Sequence, residues 1–211
     1  MQLATLKTQE RIYTGLYGEE RRVEVMNTAS GMVSKVIQDT LFDMIVLGIC
    51  RLLDPAQPSR RPLRNLTFDL LIETLPDADR RKSYKACLLE LRVLAQPLRD
   101  RRDKHLAHAD ADTLKKGASV GWVSMSEIKA VMGGMGDLLV DINAQEFETH
   151  LILWPPDDHA ELNFLRALSF GNLAHQQKLD EFEARFVATP YGEKLPDLDD
   201  IYPAWLRRPQ G

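Results

Sequence analysis

Apolar residues recur along much of this chain at alternating spacings of three and four, the period of a helix with one buried face. Val33, Ile37, Leu41, Met44, Ile45, Gly48 and Leu52 form the first such stripe. It predicts a long amphipathic helix that stops near Asp54, because the run Asp54, Pro55, Ala56, Gln57, Pro58 cannot continue it. A basic, Pro-containing loop from Ser59 to Arg64 leads to a short helix over 67–74, ended before Pro76. Asp77 or Asp79 is placed to cap the next helix, whose stripe is Tyr84, Leu88, Leu91, Ala95 and Leu98. Pro97 should kink or interrupt it, since its missing N–H and its ring both disturb the preceding turn.

After His108, residues 109–121 read as a connection rich in Asp, Lys and Gly. Ser124 and Glu127 make a capping-box pattern ahead of Ile128, Val131, Met132, Met135 and Leu139, so another helix starts there. Gly133, Gly134 and Gly136 weaken that helix, but they follow no strand and lack the Lys-Ser/Thr partner of a phosphate-cradling loop. His150 to Trp154 is a short apolar stretch, either strand or buried loop, closed by Pro155 and Pro156. A last long helix is expected over 160–187, carrying Leu162, Leu165, Leu168, Leu173, Leu179, Phe182 and Phe186. The pattern therefore predicts an all-α protein of about five or six helices, with residues 1–188 as a bundle and 189–211 as an irregular tail.

Composition narrows the class. A 211-residue chain with 44% hydrophobic and 27% charged residues is neither disordered nor fibrous. Its longest apolar run, Met44 to Cys50, is far short of the roughly 20 residues a bilayer needs. The first residues hold no apolar signal core, and Cys50 and Cys87 offer neither a disulfide framework nor zinc spacing. A soluble, cytoplasmic protein without a membrane partner is expected. The net charge is −4 and the pI about 5.8, which argues against a general nucleic-acid coat. Yet Arg80 to Lys104 holds nine Lys/Arg against three acids, whereas Asp137 to Asp200 holds fourteen acids against four bases. Local field rather than net charge steers a polyanion, so the basic stretch is either a solvated helix face or a phosphate site.

The informative segment runs from Leu98 to Asp110. The stripe that ends at Leu98 continues at the same spacing to Arg102 and then His105, where Leu would be expected. A charged group in an apolar lane is either paired or facing a wet cleft. Arg102 and His108 lie about 120° apart around a helix and about 9 Å along it, so they meet only if the last turn unwinds or a second copy packs alongside. Arg offers a fixed charged fork for a phosphodiester, and His moves a proton at neutral pH. Together they suffice for RNA cleavage without metal, with Asp103 placed to orient the Arg or a His.

The string Arg102-Asp103-Lys104-His105-Leu106-Ala107-His108 resembles the signature of the HEPN superfamily. With Ala109, Asp110 and the upstream Arg51-Leu52-Leu53-Asp54, it resembles the abortive-infection (AbiU-type) branch, over residues 20 to 150. That resemblance implies a helical bundle pairing as a homodimer, with two Arg/His motifs lining a cleft between subunits. It implies a metal-independent ribonuclease of phage-defence or toxin–antitoxin systems, acting on single-stranded RNA, using no cofactor, and masked in some systems by a cognate antitoxin or regulatory protein. Arg102 and His108 would be the catalytic pair, supported by Asp103, Lys104 and His105, with Arg51 and Asp54 buttressing the cleft.

Simpler readings stand beside these. Arg102 can pair with Asp103 or Asp54, and His108 can bond a carbonyl at a helix end, giving a structural network in a silent module that holds a partner protein or nucleotide. Arg51 and Asp54, three apart, suit a plain helix-end ion pair. His105, His108 and Asp110 lack a convincing further ligand for a metal. His150, His159 and His175 are isolated surface or core residues, and Trp122, Trp154 and Trp205 are expected to anchor packing rather than to stack on bases.

Overall fold

A computed structural model describes residues 2–57, 64–106, 122–153 and 159–207. Among them are seven α-helices and no strand: α1 (Gln2–Tyr17), α2 (Glu20–Leu53), α3 (Phe68–Thr74), α4 (Ala78–Leu94), α5 (Gln96–Arg101), α6 (Met125–Phe147) and α7 (Ala160–Ala188). A π-turn follows α5 over Arg102–Leu106. Among the described residues no helix is long and apolar enough to cross a membrane.

The helix boundaries have local causes. Thr67 caps α3 through a bond to its hydroxyl from the Leu70 amide at 3.3 Å, and Asp77 rather than Asp79 caps α4, accepting from the Asp79 and Arg80 amides. The Ser124–Glu127 capping box starts α6 with both reciprocal bonds made. Pro97 sits at the first turn of α5, where its absent N–H costs nothing, so the expected kink is the joint between α4 and α5. Residues 148–153 carry no regular structure, and Ile152 is exposed there.

Two helical stretches had no expected element. α1 and the first part of α2 occupy residues for which the apolar pattern assigns nothing. α2 is broken at Ser30, whose backbone is extended (φ −172°, ψ 108°) and whose hydroxyl accepts from the Val33 amide at 3.3 Å. Ser30 thereby acts as the N-cap of the stripe-bearing half.

The chain divides into two compact units, Met1–Thr14 with Val36–Asp158, and Gly15–Lys35 with His159–Gly211. The first holds the core. Ile45, Ile49 and Leu53 of α2, Ile72 of α3, Leu88 of α4, Leu98 of α5 and Ile128, Met135 and Ile142 of α6 are fully buried. The buried lane of α2 is displaced from the expected stripe, because every residue from Met44 to Cys50 is apolar or Gly and the pattern there does not choose a face. Val33 and Met44 stand exposed instead. Gly48 lies against α1, where a Cβ would sit 2.3 Å from Leu6 Cδ2, and Gly134 lets α6 approach α4, where a Cβ would sit 2.5 Å from Leu91 Cδ2.

The second unit pairs residues 15–35 with α7 and the tail. Tyr17 donates to the Ser34 carbonyl at 2.8 Å, and Asn172 Nδ2 to the Val25 carbonyl at 2.9 Å. His175 stacks on Tyr202 of the tail.

Candidate functional site

The site begins at the last carbonyl of α2. Leu53 O accepts from Arg92 Nε at 2.8 Å and from Arg99 Nη2 at 2.9 Å. Two cations there satisfy an orphan carbonyl and complement the negative end of the helix dipole. Asp69 holds the turn that follows, accepting from the Ala56 amide at 3.2 Å and lying 3.7 Å from Arg92 Nη2.

Arg102 occupies the stripe position one turn after the buried Leu98, at the first residue of the π-turn. Such turns widen the helix and recur at functional sites. Its Nε donates to Asp103 Oδ1 at 2.8 Å, and its Nη1 reaches both carboxylate oxygens of Asp54 at 3.0 Å. Nη2 makes no hydrogen bond among the described residues, and the side chain keeps 21% of its exposure. Burial works against the charged guanidinium, but the bonds to Asp103 and Asp54 outweigh it and raise its pKa, so the group is a fixed cation.

The flanking arginines lock the same seam. Arg99 lies 4.0 Å from Asp54, and Arg101 reaches Asp43 at 2.8 Å with its guanidinium 4.9 Å from the centre of the Phe42 ring. Cys50 is buried below them. Desolvation dominates there over the lowering effect of Arg102, pushing the thiol up to about 11, so it is no nucleophile at neutral pH.

The geometry brings Asp54, Arg102 and Asp103 together. Arg51 joins no pair with Asp54; it is exposed, and Asp54 turns to Arg102 and Arg99 instead. A lone i, i+3 pair in water yields little, whereas a half-buried guanidinium needs its carboxylate. Lys104 is exposed. His108 and Asp110 lie outside the described residues, as does the side chain of His105. Among the described residues no group of three or more His, Cys, Asp or Glu is placed to hold a metal. Trp122 and Trp205 are not packing anchors: they are 91% and 81% exposed, Trp205 on a single 3₁₀ turn that offers it no core. Trp154 lies outside the described residues. The arginine clamp of Arg92, Arg99 and Arg101 with Asp43 and Asp69 was not singled out from the sequence. Its signal was the local positive excess of residues 80–104, with Arg92, Arg99 and Arg102 on one side of the helix.

A family model, AbiU2 of the HEPN group, matches residues 3–166. The chain belongs to the AbiU2 family. The match extends past the expected 20–150 at both ends, taking in α1 and the first turns of α7. Helices throughout the described residues agree with the all-α bundle of this HEPN-like family. No curated protein and no solved structure matches this AbiU2 chain.

Proposed function

We propose that this AbiU2 chain is a metal-independent endoribonuclease of phage defence or a toxin–antitoxin system. In this reading a homodimer brings Arg102 and His108 of each subunit to a cleft that binds single-stranded RNA. The observation that carries it is the set of Arg102: two carboxylates fix two edges of the guanidinium while Nη2, on a half-buried side chain, meets no hydrogen-bond partner among the described residues. A held cation costs no reorganisation when charge develops on a phosphate. The ribose 2′-oxygen forms a bond to phosphorus and the bond to the 5′-oxygen breaks. One proton leaves the 2′-hydroxyl and one reaches the departing 5′-oxygen, a transfer suited to His108. The products are a 2′,3′-cyclic phosphate and a 5′-hydroxyl, so the step balances without a metal.

One observation favours a second reading, a silent module that holds a partner protein, such as a cognate antitoxin, or a nucleotide. Asp54 and Asp103 together more than offset the charge of Arg102, and Arg99 beside Asp54 completes a closed set of two cations and two carboxylates, as a structural network would. Incubation with single-stranded RNA in EDTA separates the two. Cleavage that falls by about 100-fold or more in Arg102→Ala and in His108→Ala supports the nuclease. Cleavage that persists in both variants, or needs added metal, overturns it, and intact RNA with the wild-type chain favours the module.

A further inference from the structure

We infer that the groove between α1 and α2, with Arg51 at its rim, binds the nucleotide adjacent to the phosphate held at Arg102. This subsite rests on the nuclease reading above and adds to it a second point of contact with the RNA strand.

The argument starts from the lanes of α2. Asp43, Leu47 and Asp54 fall on one lane (i, i+4, i+11), and its two carboxylates receive Arg101 and Arg102. Met44, Gly48 and Arg51 (i, i+4, i+7) form the next lane, about 60° around the helix from Asp54 at Arg51 and about 4.5 Å back along it. That second lane is covered by α1 at Gly48 and exposed at Met44 and Arg51. It floors a groove of about 310 Å³ whose far wall is Gln2, Thr5, Leu6 and Gln9 of α1. Gly48 sets the groove's base, since α1 approaches there so closely that Leu6 occupies the place of a Cβ. The groove therefore runs beside the lane that anchors Arg102, not on another side of the molecule.

Its chemistry fits one nucleotide of a single strand. Met44 and Leu47 offer an apolar surface to the face of a base, as unstacked bases in RNA require. Gln2 and Gln9 bring side-chain amides, which donate and accept toward a base edge. Arg51 supplies an exposed guanidinium that pairs with no carboxylate among the described residues, unlike Arg102, Arg101 and Arg99, which the neighbouring lane and its surroundings neutralise. A fork of that kind takes a phosphate bidentately. This also explains why Arg51 stands three residues from Asp54 without pairing to it: the carboxylate serves the buried cation, and the exposed one faces the groove.

The test is binding of a fluorescent single-stranded octanucleotide to the full chain, with His108→Ala in the background so that the strand stays intact. Arg51→Ala should weaken binding about fivefold at low salt. It should also lower the slope of log affinity against log salt by about 0.7, the loss of one phosphate contact on a single strand. Met44→Glu, at a half-exposed position that tolerates the change, should weaken binding as well, by placing a negative charge where the base rests. The Arg51→Ala deficit should shrink toward none as the strand is shortened to a dinucleotide. Unchanged affinity and slope in Arg51→Ala, with the octanucleotide still bound, overturn the subsite and leave the nuclease reading standing. Absence of RNA binding in the His108→Ala chain and in the wild type removes both.

Discussion

The two units differ in how they keep their helices. The first buries side chains from six helices in one cluster, with Ile45, Val46, Ile49, Leu53, Ile72, Leu98, Ile128 and Ile142 removed from solvent. In the second, among the described residues, Gly15, Leu16, Met26, Ser34, Glu161 and Leu165 are the buried positions. Met32, Val33, Phe170, Leu173 and Val187 stand more than half exposed. Fold and site go with the apolar cluster: every member of the Arg102–Asp54–Asp103 set lies in the first unit, and the AbiU2 match ends seven residues into α7. A packed cluster can hold a half-buried charge arrangement in register, which a pair of helices joined by polar contacts cannot do as well.

The largest effect should come from truncating an apolar side chain to Ala in each unit. Ile49→Ala empties a fully buried site and should cost about 2–5 kcal/mol by urea denaturation followed by circular dichroism. Phe170→Ala removes a larger side chain at a position 73% exposed and should change stability by no more than about 0.5 kcal/mol. An equal loss in the two variants would break the contrast, because it would mean that Phe170 is covered in solution.

The same contrast governs what the sequence discloses. Elements whose ends are set locally are legible: Thr67, Asp77 and Ser124 cap, Asp54-Pro55 stops a helix, and Pro97 divides one. The lane from Tyr84 to Leu98 also reads directly, since it alternates cleanly with polar residues and buries the residues it marks. What fails is choice among equivalents. The apolar run from Met44 to Cys50 leaves the buried face of α2 open, and packing into the common core, with α1 against Gly48, decides it. In α1, Leu3, Leu6 and Leu16 are buried, but of the six residues between Leu6 and Tyr13 only Ile12 is apolar, too sparse for a stripe. Within the candidate site, Arg102 stands out because a cation replaces an apolar residue in a lane. Its partner Asp54 is 48 residues away, and nothing local distinguishes that pairing from the nearer one with Arg51.

A middle-sized effect should separate two ion pairs of similar chemistry. Asp54→Ala leaves Arg102 and Arg99 facing a vacated carboxylate at side chains about a fifth exposed, and should cost about 1–2 kcal/mol. In the second unit, Arg22 pairs with Glu19 at 2.8 Å with the carboxylate 64% exposed, so Glu19→Ala should cost no more than about 0.5 kcal/mol. Asp54→Asn, which keeps the shape and one acceptor, should lie between wild type and Asp54→Ala. Comparable losses for Asp54→Ala and Glu19→Ala would show that the clamp contributes no more than surface charge does.

The smallest effect concerns helix starts. Ser124 caps α6 through its hydroxyl, whereas α7 begins at His159 without a side-chain cap bond. Ser124→Ala should therefore cost about 1 kcal/mol, measured by thermal unfolding. Acid should act in the same place. Backbone amides hold the carboxyls of Glu127 and Asp77 below their ordinary values, Glu127 through the Ser124 amide and Asp77 through those of Arg80 and Asp79. A depressed folded pKa stabilises above the unfolded value of about 4 and is lost as pH falls through the folded value. The stability of the double variant Asp77→Asn, Glu127→Gln should consequently fall less than that of wild type between about pH 4 and pH 2. Above pH 5, where both carboxyls are ionised in the wild type, the double variant should be the less stable of the two. An identical acid slope in both chains would remove the caps from the list of what distinguishes the two units.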